Sequence, residues 1–173
     1  DEKVREALNY GFDFEELNRT VAFNSYKRID SYFWNTELAS SGLPEGRELE
    51  ILGGLKDKLS PAVFTTPYTN PVGGDPQKSR DNLRKAIGLF KEAGWEIKGN
   101  RMVNTKTGKP MNVEFLLDEP VFERFVLFYK PILERLGIDV TVRTIDDAQH
   151  ENRTRSFDFD IIVGSWGESL SPG

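Results

Sequence analysis

Residues 111–163, MNVEFLLDEPVFERFVLFYKPILERLGIDVTVRTIDDAQHENRTRSFDFDIIV, decide the fold. The apolar run at 111–117, closed off by Asp118, Glu119 and Pro120, reads as a strand. From 120 to 136, Val121, Phe125, Tyr129, Ile132 and Leu136 recur at helical spacing and predict one buried face, with Gly137 as the stop. Pro131 falls inside that run and can donate no hydrogen bond to the carbonyl of Leu127, so the helix is expected to be kinked or interrupted there. Residues 138–145 alternate as a half-buried strand, 146–156 are polar and helical, and 160–163 read as a short strand buried on both faces. The order is βαβαβ. Such units give parallel strands, and ligands usually sit beyond the strands' carboxyl ends, here 118–119, 146–147 and, most pointedly, 164–172.

Working outward from this core, Glu96, Ile97 and Lys98, then Gly99-Asn100, then Arg101, Met102 and Val103 read as a hairpin. A second turn at 107–110 would bring 111–117 alongside and complete a small antiparallel meander. Asp75 as N-cap with Pro76 behind it opens a helix to about Ala93, with Leu83, Ala86, Ile87 and Phe90 on one face, Gly94 ending it and Trp95 packing back. The connection at 61–76 contains TNPVGGDP, which joins glycines to a helix start. It lacks the Gly-Lys-Ser/Thr ending that reaches a phosphate, so it reads as a loop delivering a helix cap. A short helix is expected over 46–55, and 26–43 is an irregular segment held down by Tyr32, Phe33 and Trp34. At the start, Val4, Ala7, Leu8, Phe12, Leu17 and Val21 trace two short amphipathic helices broken at Gly11 and Asp13, with Asp13 capping the second.

The chain has 173 residues, of which 38% are hydrophobic and 29% charged, enough apolar material for a core at one domain's length. Its longest apolar stretches fall short of the ~18 residues that span a membrane, so no membrane insertion is expected. A net charge of -5 supplies no positive field to displace counterions from a phosphate backbone, which makes nucleic acid an unlikely partner on physical grounds. Cysteine is absent, excluding disulfides, thiolate nucleophiles and Cys-ligated metals while leaving the compartment undecided. The opening DEKVREALNY lacks an initiator Met and a signal-like run, and the ending Ser171-Pro172-Gly173 reads as mid-loop, so the sequence is expected to be a piece of a longer chain.

Chemistry-bearing residues are few. His150, the one histidine, sits on a polar helix with no nucleophile motif nearby and is expected to be a solvated surface residue. Asp118-Glu119 and Asp146-Asp147 could serve as acid and base or as oxygen ligands for a hard cation, but carboxylates at a helix start are already explained by capping and the dipole. Arg143, Arg153 and Arg155 lie among Asp139, Asp146 and Glu151, which predicts exposed pairing rather than a basic groove. The segment around Tyr32, Phe33 and Trp34 fits either a core or a ligand-stacking role, and Phe33 with Asn35 are its candidate ligand contacts. Trp166 directly follows the last strand, flanked by Ser165, Glu168 and Ser169 as polar groups able to fix a ligand. No cofactor and no metal site is expected.

VREALNYGFDFEEL, KEAGW followed by EIKGNRMVNTKTGKP, LERLGI, and FDFDIIVGSWGESLSPG together resemble the family 5 extracellular solute-binding proteins, the peptide receptors of bacterial ABC importers. SYFWNTELASSGLP, YTNPVGGDP and SWGESLSPG are similar to the YejA-like oligopeptide and microcin C branch. The resemblance implies an α/β, periplasmic-binding-protein-like lobe: a βαβαβ core, a small antiparallel meander and N-terminal helices forming one domain over 1–173, most of the second of two lobes. It further implies a periplasmic location, no enzymatic activity, and as partners an oligopeptide or peptide-like antibiotic, the permease of the importer and the missing first lobe of the same chain. Many members end this region with Gly-Trp-x-Ala-Asp, whose Asp anchors the peptide's amino terminus. Here Trp166 matches the Trp while Glu168 and Ser169 stand at the Ala and Asp positions, so either could take that polar end. From the residues alone, a hydrolase or transferase built on the strand-end carboxylates and a pure interaction module stay open.

Overall fold

The computed structural model describes residues 1–165 and 167. In chain order the elements are α1 (Glu2–Gly11), α2 (Phe14–Thr20), α3 (Gly46–Gly53), a 3-10 turn (Lys56–Lys58), α4 (Ala62–Thr65), α5 (Pro76–Glu92), β1 (Trp95–Lys98) and β2 (Arg101–Asn104). There follow β3 (Asn112–Leu117), a 3-10 turn (Pro120–Phe122), α6 (Glu123–Arg135), β4 (Asp139–Thr144), α7 (Asp147–Arg155) and β5 (Ile161–Ile162). They fall into two compact units, one made of Asp1–Tyr26 with Pro71–Ser165, the other containing Lys27–Asn70.

The first unit is organised by β3. Its order β4-β3-β5 is parallel throughout, with Asn112↔Asp139 to Leu117↔Thr144 on one side and Phe115↔Ile161, Leu116↔Ile162 on the other. Successive side chains of a strand point to opposite faces. Val113, Phe115 and Leu117 therefore enter the core with Val126, Tyr129 and Leu133 of α6 and with Ala7, Ala86 and Phe90 of α1 and α5. Tyr129 joins these layers: its ring meets Phe12 and Phe115 edge-on at 5.2 and 6.0 Å, and its hydroxyl donates to the carbonyl of Leu8 at 2.5 Å. Burial pushes that hydroxyl's pKa well above the ordinary tyrosine value, which keeps it protonated as a donor at neutral pH.

Several caps follow the sequence closely. Asp1, Asp13, Asp75 and Asp146 each accept from backbone N–H groups of the helix they start, and Pro76 stands behind Asp75. Gly99 and Asn100 take φ of +54° and +68°, the left-handed pair of a two-residue hairpin turn. Gly137 is the tightest point. At φ +81°, its carbonyl accepts from Met102 N at 2.7 Å, and a Cβ there would stand 2.6 Å from that same nitrogen.

Five expectations need correction. The apolar stripe of α6 is Val126, Tyr129, Leu133 and Leu136, with Phe125 and Ile132 at its margin and Val121 49% exposed. Val121 belongs to the 3-10 turn, whose three-residue period resets the phase before the α-helix begins. On α5, Ile87 is 41% exposed because Ala86 and Phe90 already face the core, and Ile87 lies about 100° further round. The strand buried on both faces is β3, whereas β5 is an edge of two half-buried residues. Finally, the meander is a two-stranded hairpin that touches the start of β3 by the single bridge Val103↔Pro110, since β3 spends both edges on parallel partners. The helix α6 continues through Pro131 without interruption; Leu127, whose carbonyl loses its donor, is exposed, so water can serve it.

The second unit holds α3, α4 and their turns, and no residue from 27 to 70 is buried. Its 31–40 stretch is a run of turns, as the lack of period implied. Lys27 Nζ sits 4.4 Å above the Trp34 ring, and Asn70 Nδ2 donates to the Ile29 carbonyl at 2.8 Å.

Phe90→Ala should cost about 3–5 kcal/mol of folding free energy, while Ile87→Ala, one residue away, should cost under ~1 kcal/mol. Urea unfolding of the two variants separates the observed face of α5 from the one expected; equal losses would mean that Ile87 is core. Gly137→Ala should be destabilising by at least ~2 kcal/mol, since strain at positive φ adds to the clash with Met102.

Candidate functional site

The parallel order puts the carboxyl ends of β3, β4 and β5 on one edge, at Asp118, Ile145 and Val163. Helix α7 begins at this edge. Asp146 caps it by accepting from Gln149 N at 3.0 Å, and that hydrogen bond holds the Asp146 carboxyl below its ordinary pKa. The polar face of β3, carrying Glu114, Leu116 and Asp118, looks toward α7. Helix α7 contributes no buried residue to this contact, and it meets β3 through charged and polar side chains.

His150 is the first surprise of this contact. Rather than being solvated, its side chain is only 12% exposed, with Nδ1 3.6 Å from Asp118 Oδ2. Its Nε2 and the Oγ1 of Thr154, one turn along, are both buried without a hydrogen-bond partner among the described residues. The second is Glu114. Arg143 Nε reaches its Oε2 at 2.9 Å and Arg153 Nη2 its Oε1 at 2.6 Å. Of the expected pairings only Arg155 with Glu151, 2.6 Å apart, is found; Arg153 turns inward and Arg143, itself still exposed, reaches the same group, because a carboxylate 21% exposed on a central strand needs counter-charges that surface acids do not. The signal was present in NVEFLL: a lone carboxylate in a strand flanked on both edges requires a partner.

The glycine loop is also resolved chemically. Gly73 N donates to Glu15 Oε2 at 2.7 Å and Gly74 N to Asp13 Oδ1 at 2.8 Å, while Ser79 Oγ donates to Asp13 Oδ2. The anion held by these amides is the protein's own, and a Cβ at Gly73 would lie 2.3 Å from Asp13 Oδ1. A hollow of about 320 Å³ lies between α1, α5 and α6, lined by Tyr10, Asp13, Ser79, Phe128 and Ile132, none of which belongs to the carboxyl edge. Among the described residues, no three His, Asp or Glu side chains converge in a way that could hold a metal ion.

Of the residues singled out in the sequence, Ser165 is exposed just past β5, and Trp166, Glu168 and Ser169 lie outside the described residues. Phe33 and Asn35 belong to the second unit. Phe33 is half-buried and its carbonyl accepts from Thr36 N at 3.1 Å and Thr36 Oγ1 at 2.7 Å; Asn35 is exposed at φ +67°.

A parallel three-stranded sheet packed against helices, with the carboxyl ends of its strands on one edge, is an α/β arrangement of the kind in which ligands sit beyond those ends. The model of the bacterial extracellular solute-binding proteins, family 5, matches residues 1–173, and the chain belongs to that family. It is 58% identical over 171 residues to the "Probable peptide-binding protein YejA" of Agrobacterium fabrum, covering 99% of this chain and 28% of that protein. Among solved structures, it superposes on NikA from Brucella suis in complex with Fe(III)-EDTA with a TM-score of 0.64 at 23% identity, over 99% of this chain and 29% of NikA. It also superposes on the oligopeptide-binding protein AppA from Bacillus subtilis in complex with a nonapeptide, with a TM-score of 0.63 at 20% identity, over 99% of this chain and 29% of AppA. These two likenesses establish the fold. The chain spans little more than a quarter of the length of the curated relatives it matches. No helix among the described residues is long and apolar enough to cross a membrane.

Asp75 and Asp146 both have carboxyls lowered by hydrogen bonds from backbone N–H groups, Lys78 before Gln77 for Asp75 and Gln149 for Asp146. A depressed folded-state pKa contributes stability that is fully present above the unfolded value near ~3.9 and is lost as pH falls through the folded value. Asp75→Asn with Asp146→Asn keeps the caps but removes the titration. Thermal melts should therefore show a shallower loss of stability below pH ~4 in the double variant than in the parent; parallel acid limbs would contradict the assignment.

Proposed function

We propose that this chain is the greater part of the second lobe of a periplasmic receptor, which captures oligopeptides or peptide-like antibiotics and delivers them to an ABC importer without catalysing a reaction. The observation that carries this reading is the 58% identity, over nearly the whole chain, to a protein named as a probable peptide-binding protein. The strand-end carboxylates support it from the other side. Asp146 is engaged in capping α7, and Asp118 lies 3.6 Å from the His150 ring, so among the described residues these two carboxylates are each engaged with α7 rather than with one another.

In this reading the ligand lies against the loop that leaves β5. Trp166 stacks on the peptide, Glu168 or Ser169 takes its charged end, Ser165 adds a hydroxyl, and Phe33 and Asn35 contribute from the aromatic segment. The first lobe of the full-length chain closes over the ligand, and enclosure of most of the ligand surface supplies the affinity. The permease then receives the closed form.

The test is to purify the full-length protein, identify what co-purifies by mass spectrometry, and measure binding of the recovered peptides by calorimetry. Trp166→Ala should weaken binding by at least ~2 kcal/mol with little change in the melting temperature of the ligand-free protein. A variant that melts early but keeps its affinity would place Trp166 in the core and remove the basis for the Glu168 and Ser169 roles.

A further inference from the structure

The loop proposed to hold the ligand hangs from a very short strand. Helix α7 leads into β5, and β5 is joined to β3 by only the two pairs Phe115↔Ile161 and Leu116↔Ile162, neither isoleucine being fully buried. Two pairs are a weak determinant of register, and a slip of one residue would turn every side chain beyond to the opposite face.

What surrounds this ladder is polar and converges on one guanidinium. Asp160 Oδ2 accepts from the backbone N of Glu114 at 2.9 Å, which adds a side-chain rung below the two backbone pairs. Glu114 Oε1 accepts from Arg153 Nη2 at 2.6 Å. Arg153 Nε is shared between the carbonyl and Oδ2 of Asp158, both at 2.9 Å. Arg143 of β4 takes the remaining carboxylate oxygen of Glu114 at 2.9 Å. The Arg153 and Glu114 side chains are only 25% and 21% exposed, so their bond is stronger than a surface pair. The central strand, the end of α7 and the turn into β5 are thus tied together by a planar fork that bonds in two directions. A lysine, with one ammonium at the end of a flexible stem, cannot reproduce it.

We infer that Arg153 is a positioning residue for the ligand-binding loop: by bridging Glu114 to Asp158 it fixes the register of β5 and hence the direction in which the chain leaves the sheet at Gly164 and Ser165. The inference rests on the proposed location of the ligand, and its test separates the two. In the full-length protein, Arg153→Gln and Arg153→Lys should both speed hydrogen exchange at the amides of Ile161 and Ile162 by at least about tenfold, leaving those of Phe90 and Leu133 unchanged. Both should weaken binding of a co-purified peptide by at least about tenfold, while the ligand-free melting temperature moves by under ~3 °C. Should Arg153→Gln fail to fold, Asp158→Ala, at a side chain 70% exposed, removes one of the two acceptors of Arg153 Nε and should give an intermediate increase in exchange.

Unchanged exchange in β5 would overturn the clamp. Faster exchange with unaltered affinity would overturn its role toward the ligand, and full recovery by lysine would overturn the part assigned to the fork. If the parent protein binds no peptide, the functional reading fails alone, and the exchange arm still decides the clamp.

Discussion

A central strand paired along the whole of one edge, held on the other at Phe115 and Leu116 and covered on both faces leaves little water for its polar groups, and Asn112–Leu117 is in that position. The rest of the first unit is arranged around this constraint. One face solves it by being apolar, with Val113, Phe115 and Leu117 set against the α6 stripe. The other carries Glu114 and Asp118 on either side of Leu116, so its cover must be polar, and α7 supplies arginine and histidine where a core helix would supply leucine. The two faces of one strand thus recruit two chemically opposite helices.

This division explains how much could be read beforehand. Elements whose signal is local were legible: aspartate caps, the Gly99-Asn100 turn, the stops at Gly94 and Gly137, and the βαβαβ order. Phase was harder. The stripe of α6 was displaced by a 3-10 turn that a helical count cannot detect, and Ile87 was counted on the face of Ala86 and Phe90 although it lies about 100° round from Ala86. The status of His150 was hidden for a related reason: its neighbours in sequence are polar, but its neighbour in space is Asp118, just past the end of β3. Family membership was legible from motifs in order, whereas the ligand contacts proposed here fall past β5 and in the aromatic segment, where periodicity carries no information.

The glycine loop shows how the same local pattern can point two ways. Backbone amides presented by Gly73 and Gly74 at the mouth of a helix suit any anion. Here α2 delivers Asp13 and Glu15 to them, and Asp13 simultaneously caps its own helix. A site that could have held a soluble phosphate is instead a joint between the N-terminal helices and α5. The carboxylates are structural because they are attached, and their closeness to Gly73 leaves no room for a side chain there.

The hydroxyl of Tyr129 bonds to a carbonyl 121 positions earlier in the chain. At ~5–20 residues per second, roughly 6 to 24 s of synthesis separate the emergence of Leu8 from that of its partner. Until α5 is made nothing covers Ala7 and Leu8, and the tie through Tyr129 waits for α6, which follows later still. Between those two moments α1 is held by α5 without that tie, and the arrival of α6 completes its cover.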